Sequence, residues 1–398
     1  MAINTDEKEI DGILDRGVIV EVLPSKEDFR KKLLSGERLK FYIGFDPTSA
    51  SLHLSHAKNI ILLEEFRQLG HDVVLLFGDF TARIGDPTDC VMTRKQFSKE
   101  EILKNVEKWK KQVEPLMDFE AKQNPPRILY NSEWLSKLTF EEVTNLASSF
   151  TVQQMLERDM FEKRMKANKP IYLHEFLYPL MQGYDSVEME VDVEMCGTDQ
   201  IFNALVGRTL LKKFKNKEKF VLAVNLMENP KTKELMSKSR GTGVFLDSIP
   251  SEMFGAIMAQ PDEMIEIFLI NITMLELDEI KEILKEKLME AKKRTAFEIV
   301  KIFHGEEEAK KAQESFKEVF QNKKLPDDIN SVEAEKGKEL KDVFVEAGVV
   351  SSASEFRRLI KDGAIEFNGE VAKDIHYKIE KSGVVRIGKK KFVKLELK

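Results

Sequence analysis

Two histidines three residues apart, His53 and His56, close the stretch FYIGFDPTSASLHLSH that runs from Phe41. Residues at i and i+3 share a helix face. A helix starting near Leu52 turns its free backbone N–H groups and the positive end of its dipole toward whatever precedes it, which favours an anion such as phosphate. First-turn histidines also serve as solvated or capping groups, so the pair alone leaves both roles open. A second constellation lies in HEFLYPLMQGYDSVEM, where Tyr178, Gln182 and Asp185 fall on one helix face. They can converge on one small polar ligand or form a buried hydrogen-bond network. In MCGTDQIFN, Asp199 can accept from a ribose hydroxyl pair or, like Thr198, act as a plain N-cap. The segment GDFTARIGDPTD offers Asp86 either as a ligand group or as part of a Gly-Asp-Pro turn. Finally, ENPKTKELMSKSRGTGVFL is rich in Lys, Ser and Gly, suited to close over phosphates or to lie solvated at the surface.

These groups need elements to hold them. Phe41, Ile43 and Phe45 read as a buried strand, followed by a helix carrying Ile60, Ile61, Leu63, Phe66 and Leu69, which Gly70 ends before the strand DVVLLFG. A βαβ unit with an apolar central strand implies a parallel sheet covered on both faces, with ligands bound at the carboxyl ends of its strands. Ser98 to Phe119 reads as an amphipathic helix with Ile102, Val106, Trp109 and Val113 on one stripe, Trp109 being a core or interface residue. A strand RILYN, helical material over 139–168, and a strand FVLAVNL follow. The expected fold class is α/β, with a Rossmann-like parallel-sheet catalytic domain over 39–247. Before it lies a polar helical segment, 1–38. After it come a helical domain at 248–320, a polar linker at 321–339 containing Pro326, and a small α+β module at 340–398.

At 398 residues the chain is expected to form two or three domains. Its longest apolar runs, such as VVLLF, are far short of a membrane span, and MAINTDEKEI is charged rather than signal-like, so a cytoplasmic protein is expected. Cys90 and Cys196 cannot make a metal cage alone and read as free thiols, and no bound protein metal is expected. The net charge of −6 is uneven: from Leu340 onward 13 Lys plus Arg face 9 Asp plus Glu. In that basic tail Arg357, Arg358 and Lys361 lie on one short helix and Lys389, Lys390 and Lys391 in a turn, forming a phosphate-contacting surface or a solvated basic face.

Together these pieces resemble a bacterial-type tyrosyl-tRNA synthetase, a class I aminoacyl-tRNA synthetase, over nearly the whole chain. HLSH resembles the HIGH motif and MSKS the KMSKS motif. GFDPT, IGDPT, YPLMQGYD and GTDQ look like the family's tyrosine and ATP loops, and the tail looks like its S-four type RNA-binding domain. The resemblance implies that Tyr42 and Asp185 meet the phenolic hydroxyl of tyrosine, that Asp86, Tyr178 and Gln182 hold its ammonium group, and that Gln200 sits near its carboxylate. It implies Asp199 near the ribose, Thr48, His53 and His56 near the ATP phosphates, and Gly44, Asp46, Met236, Ser237 and Ser239 in the ATP loops, with Lys238 closing over pyrophosphate. ATP would enter with Mg²⁺ as a substrate complex, the partners would be L-tyrosine and tRNA(Tyr), and the assembly would be a homodimer. Tryptophanyl-tRNA synthetases share the signatures but usually lack the tail, and a catalytically silent RNA-binding relative is the other alternative.

Four positions in three motifs depart from the pattern. Ser55 stands where the HIGH motif usually has Gly, Leu235 stands at the first Lys of KMSKS, and Asp89-Cys90 stands where relatives often carry Gly-Lys. Each touches phosphate chemistry, so an active enzyme with weakened ATP or pyrophosphate contacts is expected.

Overall fold

The computed structural model describes residues 2–85, 98–232, 243–321, 330–350, 352–372, 374–388 and 391–397. The chain forms two units, Met1–Ala309 and Lys310–Lys398.

In the first unit six strands form one sheet: β1 (Ile19–Leu23), β2 (Lys40–Phe45), β3 (Asp72–Phe77), β4 (Arg127–Tyr130), β5 (Val193–Gly197) and β6 (Phe220–Val224). Their spatial order is β1-β6-β5-β2-β3-β4. All neighbours are parallel except β1, which runs antiparallel to β6 at the edge. The central strands are buried almost throughout, as a sheet covered on both faces requires. The N-terminal 38 residues are therefore not wholly helical. Helices α1 (Glu7–Asp15) and α2 (Lys26–Leu34) flank β1, whose residues IVEVL are β-branched enough to take the free edge of β6. Phe29 of α2 is fully buried, with its ring 6.2 Å from Phe41 and 6.1 Å from Phe66, which ties this segment to the sheet.

Between the strands run α3 (Leu54–Gln68), α4 (Lys99–Val113), four short helices α5 (Ser132–Leu135), α6 (Phe140–Ala147), α7 (Val152–Leu156) and α8 (Asp159–Lys166), then α9 (Leu177–Met189) and α10 (Ile201–Lys215). α9 ends on Glu190 in the left-handed conformation, and α9 packs along α10. Four further helices, α11 (Pro250–Met258), α12 (Met264–Ile272), α13 (Leu277–Lys285) and α14 (Leu288–His304), pack on one another, and α15 (Glu306–Gln321) spans the boundary between the units.

The second unit pairs α16 (Leu340–Glu346) and α17 (Ala353–Lys361) with a five-stranded sheet. Its strands are β7 (Asn330–Ala334), β8 (Ile365–Phe367), β9 (Glu370–Val371), β10 (Gly383–Ile387) and β11 (Lys391–Leu397), in the order β7-β11-β10-β8-β9. Its core includes Phe344, Phe356, Ile365, Val385 and Leu395. β7 lies inside the stretch expected to be linker. Its sequence NSVEA has little apolar content, but it pairs in parallel with β11 over five residues and buries Ala334, so partner hydrogen bonds rather than its own pattern make it a strand.

Candidate active site

Strand order reverses between β2 and β5. From β2 the chain goes on to β3 and β4 on one side, and from β5 to β6 on the other. Right-handed crossovers then carry α3 and α10 to opposite faces of the sheet. A crevice remains beyond the carboxyl ends of these two strands, the place where open parallel sheets bind ligands. A cavity of about 350 Å³ occupies it, a size suited to a small ligand. Tyr42, Gly44, Asp46, Thr48, His56, Tyr178, Gln182, Asp185, Asp199 and Gln200 all line it. His53 and Ser55, in the same turn as His56, do not. Asp86, Asp89, Cys90, Leu235, Met236, Ser237, Lys238 and Ser239 lie outside the described residues.

At the inner end the groups are paired, with Tyr42, Tyr178 and Asp185 buried and Asp46, Gln182 and Gln200 half-buried. Asp185 is 2% exposed and accepts from Trp134 Nε1 at 2.7 Å and from Asn131 Nδ2 at 3.3 Å. Burial raises its pKa well above the usual carboxylate range, and those two donors oppose the rise. The Tyr42 hydroxyl lies 3.0 Å from Ser186 Oγ, and burial raises its pKa as well. Asp46 accepts from Thr81 Oγ1 at 2.7 Å and from the Tyr178 hydroxyl at 2.9 Å. Gly78 makes room for this: a Cβ there would stand 2.0 Å from Asp46 Oδ1 and 2.3 Å from Thr81 Oγ1. Gln182 donates through Nε2 to Glu194 Oε1 at 3.2 Å, and its Oε1 accepts from Asn203 Nδ2 at 2.9 Å. Asn203 also reaches Gln200 Oε1 at 2.8 Å, and Gln200 Nε2 donates to Asp199 at 3.1 Å.

At the other end is the N-terminus of α3, where His53 is the N-cap and its backbone N–H donates to His56 Nδ1 at 3.3 Å. With Nδ1 accepting, the neutral His56 ring carries its proton on Nε2 and has a donor to offer. The turn ahead of it is held from one face of α4. Asn105 Nδ2 donates to the Pro47 carbonyl at 2.9 Å, Trp109 Nε1 to the Ser49 carbonyl at 2.6 Å, and Gln112 both accepts from Leu52 N–H at 2.8 Å and donates to the Ala50 carbonyl at 2.9 Å. Trp109 is thus more than a core residue: it lines the cavity and its ring lies 5.7 Å from His56. Behind the turn, Leu54 N–H donates to the Val244 carbonyl at 3.1 Å and Leu246 N–H to the Leu52 carbonyl at 2.9 Å. Chain just beyond the Lys-Ser loop is therefore joined to the histidine motif. Lys58, the second residue after His56, is buried on Asn225, and burial brings its pKa down to about 7 against the pull of Asp199.

Several groups in this arrangement carry no sequence signal. Trp134 and Asn131 belong to the short helix α5 and its cap, Thr81 to a single 3₁₀ turn, and Glu194 and Lys219 look like solvated charge until the fold buries them. In the second unit Arg357, Arg358 and Lys361 are exposed on α17, while Lys389 and Lys390 lie outside the described residues and Lys391 begins β11.

Burial brings the pKa of His53 down to about 4 and that of His56 to about 3, the latter lowered further by the neighbouring His53 ring. Both rings stay neutral at pH 7. Below about pH 6.5 the unfolded chain takes up protons that the folded chain refuses until about pH 4. The stability contribution is thus complete above 6.5 and is lost as the pH falls through that window. At pH 5 the loss is on the order of 2 kcal/mol per ring. Thermal melts of the wild type and of a His53→Asn/His56→Asn variant at pH 7 and pH 5 check this: the wild type should lose more stability between the two, and equal losses would contradict it.

Comparison with known proteins agrees with this geometry. The profile of the family described as tRNA synthetases class I (W and Y) matches residues 34–321, and that of the tyrosine–tRNA ligase SYY-like C-terminal domain matches residues 321–395. A Thermotoga maritima protein named tyrosine–tRNA ligase is 41% identical over 399 residues, covering 98% of each chain. One of the same name from Moorella thermoacetica is 40% identical over 395 residues, covering 96% of this chain and 94% of its own. Among solved structures, a C-terminally truncated mitochondrial tyrosyl-tRNA synthetase of Aspergillus nidulans shares the fold with a TM-score of 0.67 at 23% identity, over 78% of this chain and 94% of that one. With its parallel sheet, its switch-point cavity and both domains of the family present, the chain belongs to the class I tRNA synthetases of the tryptophan and tyrosine type and is an aminoacyl-tRNA synthetase.

Proposed function

We propose that this enzyme is a tyrosine–tRNA ligase, joining tyrosine to the terminal adenosine of tRNA(Tyr) in the cytoplasm. In the first step a carboxylate oxygen of tyrosine attacks the α-phosphorus of ATP, taken with Mg²⁺ as a substrate complex, and pyrophosphate leaves. In the second, a ribose hydroxyl of the tRNA terminus attacks the carbonyl carbon of the adenylate and AMP leaves. Neither step calls for a protein nucleophile. The enzyme's part is to align the reactants and to stabilise charge developing on the phosphates.

The observation that carries the tyrosine reading is that a buried carboxylate, Asp185, and a buried hydroxyl, Tyr42, line the same cavity. A phenol satisfies both, whereas phenylalanine would leave them facing an apolar ring, at the cost of stranded buried polar groups. Tyr178 and Gln182, with Asp86, hold the ammonium group, and Gln200 lies at the carboxylate. Asp199 takes the ribose, with Gly44 and Asp46 beside the nucleotide. Thr48, His53 and His56 serve the phosphates with Met236, Ser237, Lys238 and Ser239. The exposed cations of α17 offer the tRNA backbone a surface.

ATP–pyrophosphate exchange run side by side with tyrosine, phenylalanine and tryptophan tests the reading. Exchange with tyrosine well above the other two is expected, falling at least about a hundredfold in Lys238→Ala, since a charged group facing the departing pyrophosphate is removed. Exchange no higher with tyrosine than with the other two would contradict the tyrosine reading, and none above the Lys238→Ala background would favour a silent RNA-binding relative instead.

The hydrogen bonds from α4 separate the two ends of the cavity. Gln112→Leu and Trp109→Phe each release the turn from Pro47 to Leu52, so the KM for ATP should rise about three- to tenfold in each variant while tyrosine binding stays put. Equal changes in both substrates would show a general packing effect.

The active assembly is a homodimer. Phe140 is 88% and Leu173 is 81% exposed, large apolar side chains left open to solvent in the single chain. Light scattering should give twice the 45.9 kDa chain mass and fall to that mass in Phe140→Asp/Leu173→Asp; a wild-type monomer would sink the assignment.

A further inference from the structure

At the amino-acid end of the cavity, which Glu194 lines, is an ion pair that the reaction itself does not use. Lys219, the residue before β6, and Glu194 of β5 form a salt bridge with side chains 0% and 2% exposed. Removing two charges from water costs more than such a pair usually returns, and apolar replacements of similar volume are often as stable or more so. Stability alone is thus a poor account of its presence.

The chain also makes room for it. A Cβ on Gly207 of α10 would stand 2.6 Å from Lys219 Nζ and 2.9 Å from Ser186 Oγ, so the helix is bare where the ammonium enters. From that point the hydrogen bonds run forward into the cavity. Lys219 Nζ donates to Ser186 Oγ at 2.7 Å, and Ser186 Oγ lies 3.0 Å from the Tyr42 hydroxyl. Both oxygens of the Glu194 carboxylate are engaged. Oε2 takes Lys219 and, at 3.3 Å, the Ser186 hydroxyl, while Oε1 takes Gln182 Nε2 at 3.2 Å. An ionised carboxylate only accepts and an ammonium only donates, so each neighbour is left one orientation. Gln182 must turn its amide nitrogen to Glu194 and its carbonyl oxygen away. Ser186 accepts from Lys219 and gives its one proton to Glu194, so the Tyr42 hydroxyl is left to donate to Ser186 and to turn its lone pairs to the cavity.

We propose that Lys219 and Glu194 are positioning residues for the amino acid: as a charged pair acting through Ser186 and Gln182, they fix the hydrogen-bond direction of the Tyr42 hydroxyl and of the Gln182 amide at once. The assignment rests on the tyrosine reading above. It deepens that reading by placing part of the choice of amino acid in two charges that do not touch the phenol. In Glu194→Gln the new amide can face Ser186 and Gln182 either way, so the direction of the Tyr42 hydroxyl would be lost and that of the Gln182 amide would rest on Asn203 alone.

The test is exchange kinetics on Lys219→Met, Glu194→Gln, the double variant and Ser186→Ala. Each charge variant alone strands a buried ion and is expected to melt earlier. The double variant is neutral and of similar volume. It should melt within a few degrees of the wild type and keep its KM for ATP, while its KM for tyrosine rises about tenfold or more and its preference for tyrosine over phenylalanine falls by a like factor. Ser186→Ala leaves both charges in place but removes their link to Tyr42 together with the hydroxyl's own bonds to Lys219 and Glu194, so a rise in the tyrosine KM smaller than in the double variant is expected, with a modest fall in melting temperature. It decides the matter if the double variant does not fold. An unaltered tyrosine KM and preference in the folded double variant, or in Ser186→Ala if the double variant does not fold, would overturn the assignment. So would a rise shared equally by ATP. If the wild type itself shows no tyrosine-dependent exchange, the functional reading fails and this assignment falls with it; wild-type exchange with unaltered variants removes the assignment alone.

Discussion

The site depends on the reversal of strand order between β2 and β5. Parallel strands end on one side of the sheet, and right-handed crossovers leaving in opposite directions cannot both cover the gap between them. Everything that meets there arrives by a different route. β2 brings Tyr42 and Gly44 directly, the turn after it brings Asp46, Thr48 and the start of α3, and β5 brings Glu194 and the Gly-Thr-Asp-Gln turn. α9, lying along α10, lowers Tyr178, Gln182 and Asp185 onto the same opening. A register shift of one residue in β2 or β5 would turn Tyr42 or Glu194 to the opposite face of the sheet.

The two ends of the cavity are organised by different physics. At the inner end nearly every polar group is buried or half-buried and paired, so each is held in one orientation, and a ligand that cannot complete the pattern leaves an unpaired donor or acceptor behind. Selectivity comes from what would be stranded. At the α3 end the hydrogen bonds are mostly to backbone carbonyls ahead of a helix N-terminus, an end whose free N–H groups favour an anion. The three polar side chains of α4 stiffen that turn from one helix face. Ser55, which departs from the family's glycine, sits half-buried in the first turn of α3 and, like His53, is not among the residues that line the cavity.

Much of this is legible in the chain and some is not, for reasons that can be named. The βαβ unit announces itself because Phe41, Ile43, Phe45 and the run from Val73 are apolar in a buried-strand pattern, with Gly70 closing the helix between. The shared face of Tyr178, Gln182 and Asp185 follows from helical spacing alone. By contrast β7 is a short segment at a sheet edge, where hydrogen bonds to a partner strand decide the conformation and local pattern says little. Lys219 sits in KKFKNKEKF, which any compositional reading assigns to solvent, and only the fold shows that one of these lysines turns inward onto Glu194. Trp134 and Asn131 meet Asp185 from more than fifty residues away in sequence, a proximity no spacing rule contains.

The central claim is that one cavity holds the whole adenylate, with the phenol at Asp185 and the phosphate at the start of α3. A crystal structure with a non-hydrolysable tyrosyl-adenylate analogue measures this directly. The account predicts the phenolic oxygen within hydrogen-bond distance of both Asp185 and the Tyr42 hydroxyl, and the phosphate beside His56. An aromatic ring bound away from Asp185, or a phosphate remote from the N-terminus of α3, would contradict it.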